Sequence, residues 1–230
     1  MADLLPLTPH VAALSIMNAT RSNIYVVRDD EGGVTLVDPG PVGTGPFILA
    51  LDRRGEVRLR RVVLTHAHPA HAGALARVVR GTGVPAFVAA EDAPYLDGRA
   101  DPLLPRGRRG QLIAALGKVI ELCPPVYKLE ALAPGQTVGA LTPIAVPGHT
   151  PGHMCLLHRE DKVLLSGDAV LHDGEKLHLS PDQMSEDPAR ARAALGALRG
   201  LDIDHLLPGH GPPLIGGAGP KLERFLAEVA

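Results

Sequence analysis

The segment Leu64-Thr65-His66-Ala67-His68-Pro69-Ala70-His71-Ala72-Gly73 constrains this chain more than any other. Three of the eleven histidines fall within it, directly after the apolar run Val62-Val63-Leu64 and before residues of helical periodicity. A strand therefore delivers these imidazoles to a loop, and a helix leads the chain away. Neutral imidazole presents a nitrogen lone pair near pH 7, so histidines gathered at a strand end suit a zinc, iron or manganese site. The competing reading is a chance surface cluster.

Three further candidates share that setting. His149 follows an apolar run at 141–146 in Pro147-Gly148-His149, and Asp168 follows a run at 162–165 in Ser166-Gly167-Asp168. His210 follows a run at 204–207 in Pro208-Gly209-His210. Strand ends on one rim of a sheet bring such distant residues to one place, which is what a metal site needs.

The remaining elements alternate between strand and helix patterns. Residues 15–17 and 23–28 read as strands, and 29–33 as a hairpin turn into a return strand at 34–37. Asp38, at the end of that strand, is either a turn-former or a carboxylate that orients metal ligands. A helix is expected from Phe47 to near Gly55 and a strand over 59–64. Ala74, Leu75, Val78 and Val79 then recur at helical spacing before Gly81 and Gly83, and 86–90 is another strand. Residues 97–110 are rich in Gly, Pro and Arg, with Arg99, Arg106, Arg108 and Arg109. They form either a solvated connector or a basic lid over an acidic substrate. A helix over 111–122 ends at Cys123-Pro124-Pro125. Later come a strand pair at 154–157 and 162–165, a helix capped by Asp187 with Pro188 in its first turn, and a terminal amphipathic helix marked by Leu222, Phe225, Leu226 and Val229. This order is an α/β pattern.

Composition limits the partners. A chain of 230 residues suits one domain over 1–230 with ample core. Aromatics make up only 3% and Trp is absent, so Leu, Val, Ile and Ala must build that core. A net charge of -2 offers no basic field for nucleic acid or for an anionic membrane. The mean hydropathy is +0.10. No apolar run approaches ~18 residues, and no basic-then-apolar leader opens the chain. The expectation is a soluble, cytoplasmic protein, with its oligomeric state open. Cys123 and Cys155 lack C-x-x-C spacing and read as buried, reduced thiols.

With its histidine cluster, the Pro-Gly-His149-Thr-Pro-Gly-His run, Ser-Gly-Asp168 and Pro-Gly-His210 in this order, the chain resembles the metallo-β-lactamase superfamily from about Leu36 to His210. The resemblance implies a four-layer αβ/βα sandwich with metals at the rim between two sheets. It assigns His66, His68 and His149 to a first metal, His71 and His210 to a second, and Asp168 to both. Zinc is the expected ion, as one or two ions, with iron or manganese as alternatives; Asp168 and His149 are the expected catalytic pair. His153, next to the ligand run, is expected to orient that loop by hydrogen bonding. His10, His158, His172, His178 and His205 are read as surface or packing residues, though His172 and His178 follow Asp168 closely enough to reach substrate.

One position departs from the family's pattern. The usual motif carries an aspartate where this chain has Ala70, and a methyl group neither binds a second metal nor orients water. Weaker binding of the second ion and slower hydrolysis are expected. The alternatives are a natural one-metal variant, a sequence altered to trap a ligand, and an idle relative.

The expected activity is metal-dependent hydrolysis of a small-molecule ester, thioester or lactone by an activated water. The Gly-His-Thr-Pro-Gly-His run is most similar to the glyoxalase II branch, which implies S-acylglutathione thioesters. Acyl-homoserine lactones are a second candidate, with Tyr95 or Tyr127 as oxyanion donors unless they are merely packed. The rivals are a mononuclear iron oxygenase acting on persulfides and a non-catalytic metal-binding protein.

Overall fold

The computed structural model describes residues 3–15, 21–29, 32–107, 112 and 122–229. A first sheet contains seven strands in chain order: β1 (Asp3–Pro6), β2 (Val11–Ser15), β3 (Tyr25–Arg28), β4 (Val34–Val37), β5 (Leu59–Val63), β6 (Ala86–Val88) and β7 (Glu130–Ala131). It is antiparallel from β1 to β4 and parallel from β4 to β7. The change follows from the connections. A tight turn closed by Asp29 Oδ1 accepting the Gly33 N–H at 2.6 Å joins β3 to β4, whereas helices cross between the parallel strands. These are α1 (Gly45–Arg53) between β4 and β5, then α2 (Pro69–Ala72) and α3 (Leu75–Thr82) between β5 and β6.

The second sheet has the order β13-β10-β9-β8, built from β8 (Thr142–Ala145), β9 (Met154–His158), β10 (Val163–Gly167) and β13 (His205–Pro208). A separate pair, β11 (Leu171–His172) and β12 (Leu177–His178), precedes α4 (Pro188–Ala194), and α5 (Ala218–Val229) ends the described chain. Strand β13 runs parallel to β10, with α4 lying between them in sequence.

Alternation along the strands explains the layering, because successive side chains point to opposite faces of a sheet. In the first sheet Val26, Leu36 and Val62 pack with Ile48, Leu51, Leu75 and Val78 of the helices. Their neighbours Tyr25, Val27, Val37 and Val63 face the other way, onto Met154, Leu156, Val163 and Leu165 of the second sheet. There Cys155, Leu157 and Leu164 point outward again, against Leu195, Leu222, Phe225 and Leu226. Three aliphatic cores therefore separate four layers in the order helix, sheet, sheet, helix, as the family resemblance implied. Each fully buried Val, Leu or Ile contributes about 1.5–3 kcal/mol, so the strand ends at the rim are firmly held.

Most expected elements appear with ends shifted by a residue or two, but the strand expected at 15–17 shares only Ser15 with β2, which begins at Val11. Asp187 accepts the Arg190 N–H at 2.9 Å ahead of Pro188, the cap expected of it. Strands β1, β7, β11 and β12 are too short or too polar to have been foreseen. Ile16, Met17, Asp30, Glu31, Arg108, Arg109 and all of the expected helix at 111–122 except Leu112 and Leu122 lie outside the described residues. Both cysteines are free thiols, Cys155 buried and Cys123 half-buried. Among the described residues, no helix is long and apolar enough to cross a membrane.

Candidate metal centre

The six candidate side chains gather at one rim, five of them on loops. His66 and His68 lie just past β5, and His71 sits on α2, where His68 is the extended residue ahead of the helix and Pro69 fills its first turn. His149 follows β8, Asp168 follows β10, and His210 follows β13. Five of the six are buried, while the side chain of His210 keeps 30% exposure.

Two of these loops depend on glycine. Gly148 has φ +131, and a Cβ there would run into the backbone of Ala191 at α4. Gly209 passes so close to Asp168 that a Cβ would strike its carboxylate, and its N–H donates to Gly167 O at 2.6 Å. The His210 loop is thereby fastened to the Asp168 loop.

Ligand atoms of His66, His68 and His149 lie within 4.8 Å of one another, and so do those of His71, Asp168 and His210. The Asp168 carboxylate spans the two groups. Its Oδ2 is 3.5 Å from Nε2 of His149 and of His210 and 4.0 Å from Nε2 of His66, while Oδ1 is 3.6 Å from Nε2 of His71. A third grouping joins Asp38 with His66 and His71 by the same distance test. Its chemistry is different, because both Asp38 oxygens are already engaged. Oδ1 accepts the Thr65 N–H at 2.8 Å, and Oδ2 accepts the Thr65 hydroxyl at 2.6 Å and His71 Nδ1 at 3.1 Å. Asp38 therefore orients ligands, the second of its two expected roles.

These bonds also assign the tautomers. Thr65 Oγ1 donates to Asp38, so it accepts from His66 Nδ1 at 2.9 Å and leaves the lone pair on His66 Nε2. His149 Nδ1 meets Ser185 Oγ at 3.2 Å, which likewise turns Nε2 inward. Both Nε2 atoms and Asp168 Oδ1 are buried without a hydrogen-bond partner among the described residues. Buried polar atoms seldom stay unpaired. Converging imidazole lone pairs beside a carboxylate, with their outer nitrogens hydrogen-bonded, form the donor set a divalent cation takes.

Electrostatics agree with that reading at His66, His68 and Asp168; His71 departs from it, because the carboxylates on either side favour its protonated ring. Burial, reinforced by neighbouring imidazoles, holds His66 and His68 well below the ordinary histidine range, so both present lone pairs. Burial alone would raise Asp168, but the imidazoles of His71, His149 and His210 around it outweigh that and hold its carboxyl well below the ordinary range, so it stays ionised. His71 is pushed up to about 10: burial opposes its charge, and Asp168 and Asp38 on either side overcome that. His153 falls to about 3, chiefly through burial, and its neutral Nε2 accepts the Asp168 N–H at 3.1 Å. It fixes the aspartate's backbone, the orienting role expected of it.

Asp92 was missed from the sequence. Fully buried, it accepts the Ala67 N–H at 2.9 Å, the Thr150 hydroxyl at 2.7 Å and the Gly152 N–H at 2.7 Å, tying the His66 and His68 loop to the His149 loop. Its signal was the same as that of Asp38 and Asp168, a carboxylate just past a strand, here in Ala90-Glu91-Asp92-Ala93-Pro94.

Other candidates stand apart. Tyr127 is 86% exposed, and Tyr95 packs against the first core. His172 Nδ1 meets Pro212 O, His205 accepts from Gly216 N–H, and His10 is bound to Asp161. In the basic loop Arg99 pairs with Asp97 and Arg106 with Glu186. Ala70 lies beside His68, His71 and His210 in the wall of a cleft of about 510 Å³ that opens over the cluster.

Known proteins resemble this chain in sequence and fold. The chain is 30% identical over 218 residues to the Probable metallo-hydrolase YflN of Bacillus subtilis (strain 168), covering 85% of this chain and 82% of that protein. It is 29% identical over 166 residues to a Hydroxyacylglutathione hydrolase of Ectopseudomonas mendocina (strain ymp), covering 71% of this chain but only 53% of that one. The solved structure of TTHA1623 in a di-iron-bound form superposes with a TM-score of 0.72 at 27% identity, over 92% of this chain and 98% of that chain. Residues 17–210 match the metallo-beta-lactamase superfamily, and with the rim site and the four-layer sandwich in place, the chain belongs to that superfamily.

Proposed function

We propose that the chain is a metal-dependent hydrolase of esters, thioesters or lactones. His66, His68 and His149 would hold one divalent cation, His71 and His210 a second, and Asp168 would serve both. Zinc suits these donors best, and iron and manganese accept the same set. When bound, such an ion supplies Lewis acidity and makes water acidic enough to attack a carbonyl near neutral pH.

The chain's own residues supply the positioning. Asp168, held ionised, offers Oδ1 as acceptor to a water's proton. His153 fixes the aspartate's backbone while Asp38 and Ser185 set the imidazole rings. The cleft above the cluster admits a carbonyl substrate to the side on which His210 is open. Free thiols suit a reducing compartment, and we place the protein in the cytoplasm.

The observation that carries this reading is the gathering of the unpartnered Nε2 atoms of His66 and His149 around Asp168, whose carboxylate lines that cleft. The test is hydrolysis of a panel of esters, thioesters and lactones by chain stripped of metal and then reloaded. Turnover that appears on reloading and vanishes in His149→Ala supports the proposal. Oxygen uptake with a persulfide by iron-loaded chain, without hydrolysis, would favour the oxygenase reading.

A further inference from the structure

The cleft over the cluster has a two-sided character. Part of its lining is polar, with His68, His71, Asp168, Ser180 and His210, whereas the rest includes Val42, Leu103, Leu104, Leu122, Leu171 and Met184. Proline adds to that apolar wall, and Ala70 stands between Pro69 and His71 in the lining. Among the described residues no lysine or arginine lines the cleft. Of the described arginines, Arg106 faces Glu186 at 3.8 Å and Arg192 binds Asp182 at 2.6 Å.

Glutathione is a poor match for such a wall. It carries two carboxylates and an ammonium group, and binding it requires charged partners that compensate the loss of hydration. An aliphatic chain gains from the same wall, since each methylene taken out of water is favourable and leaves no polar group unpaired. The side chain at position 70 adds to the contrast, because a methyl there extends the apolar lining down to the cluster itself.

We propose that this cleft selects an aliphatic acyl chain, so that the substrate is a long-chain acyl thioester, ester or lactone and not an acylglutathione. The proposal rests on the hydrolase reading for the placement of the carbonyl at the cluster. The wall takes the acyl chain, and the leaving group stays at the open side by His210. Specificity is set by Leu104 and Met184, which are half-buried and reachable from the cleft.

The test uses metal-loaded chain and N-acetylcysteamine thioesters from acetyl to decanoyl, with S-lactoylglutathione alongside. We expect kcat/KM to rise about threefold per methylene until the wall is covered. Leu104→Gln and Met184→Gln should each lower the decanoyl-to-acetyl ratio by about tenfold or more. A flat or falling dependence on length, or a preference for S-lactoylglutathione over decanoyl thioester, would overturn the chain-length proposal while leaving hydrolysis intact. If no thioester, ester or lactone is turned over, the hydrolase reading fails, and calorimetric titration with octanoate and acetate still decides the cleft's preference. Tighter octanoate binding that weakens in Leu104→Gln upholds the acyl site, and equal binding of the two acids overturns it.

Discussion

Asp92 accepts the hydroxyl of Thr150 at 2.7 Å inside the core, although the two lie on separate loops 58 residues apart. Through Ala67 and Gly152 the same carboxylate also reaches both histidine loops. Asp92→Asn turns an amide NH2 towards groups that need an acceptor, so it costs about 1–3 kcal/mol of stability. Residues that orient ligands matter for affinity as well as for stability. We therefore expect metal affinity to fall about 10–100-fold, read by competition with a chromophoric chelator. Unchanged affinity would mean that the two loops hold their geometry without this bond.

Ala70→Asp places a carboxylate beside His71 and His210, in the wall of the cleft. The second group now offers His71, His210 and Asp168, and one more anionic donor should tighten the second cation by about tenfold or more. Ion-to-chain stoichiometry from elemental analysis after dialysis checks this, and an unaltered ratio would show that position 70 does not govern the second ion.

Gly148→Ala combines an unfavourable φ of +131 with a collision against the Ala191 backbone. A cost of roughly 1–3 kcal/mol is expected, lowering Tm by about 3–8 °C. Because the loop carries His149, metal affinity should drop with it. A wild-type Tm would show that α4 shifts freely to make room.

Alkaline pH should weaken the fold through the half-buried thiol of Cys123. Burial pushes Cys123 up to about 12, whereas a thiol in unfolded chain ionises near about 8.5. Below about pH 8 both states keep the proton and the group has no effect; above it the unfolded state loses the proton first, so stability declines as pH rises towards 12. Cys155 shifts in the same direction, again through burial. Tm measured from about pH 8 to about pH 10 should fall less steeply in Cys123→Ala, and an identical slope would place the alkaline sensitivity elsewhere.

Much of the architecture was legible because its cause is local. Val26, Val27, Leu36 and Val37 alternate between two apolar faces, and that pattern marks strands buried on both sides. The six candidate ligands were legible for a related reason: each follows such a strand in a glycine- or proline-bearing turn. Strands β7 and β11 were not, since two residues carry no periodicity and their pairing comes from the neighbouring strand. Asp92 was missed because its partners are backbone N–H groups and a threonine hydroxyl distant in sequence, and nothing local distinguishes it from Glu91. The basic loop was ambiguous for want of its partners, Asp97 and Glu186.

The most direct measurement is a calorimetric titration of chelator-stripped chain with zinc, in parallel with His149→Ala. The account predicts saturable binding of at least one ion per chain, weakened about 100-fold or more when the imidazole is removed. Absence of saturable binding, or binding that is unchanged in His149→Ala, would contradict it.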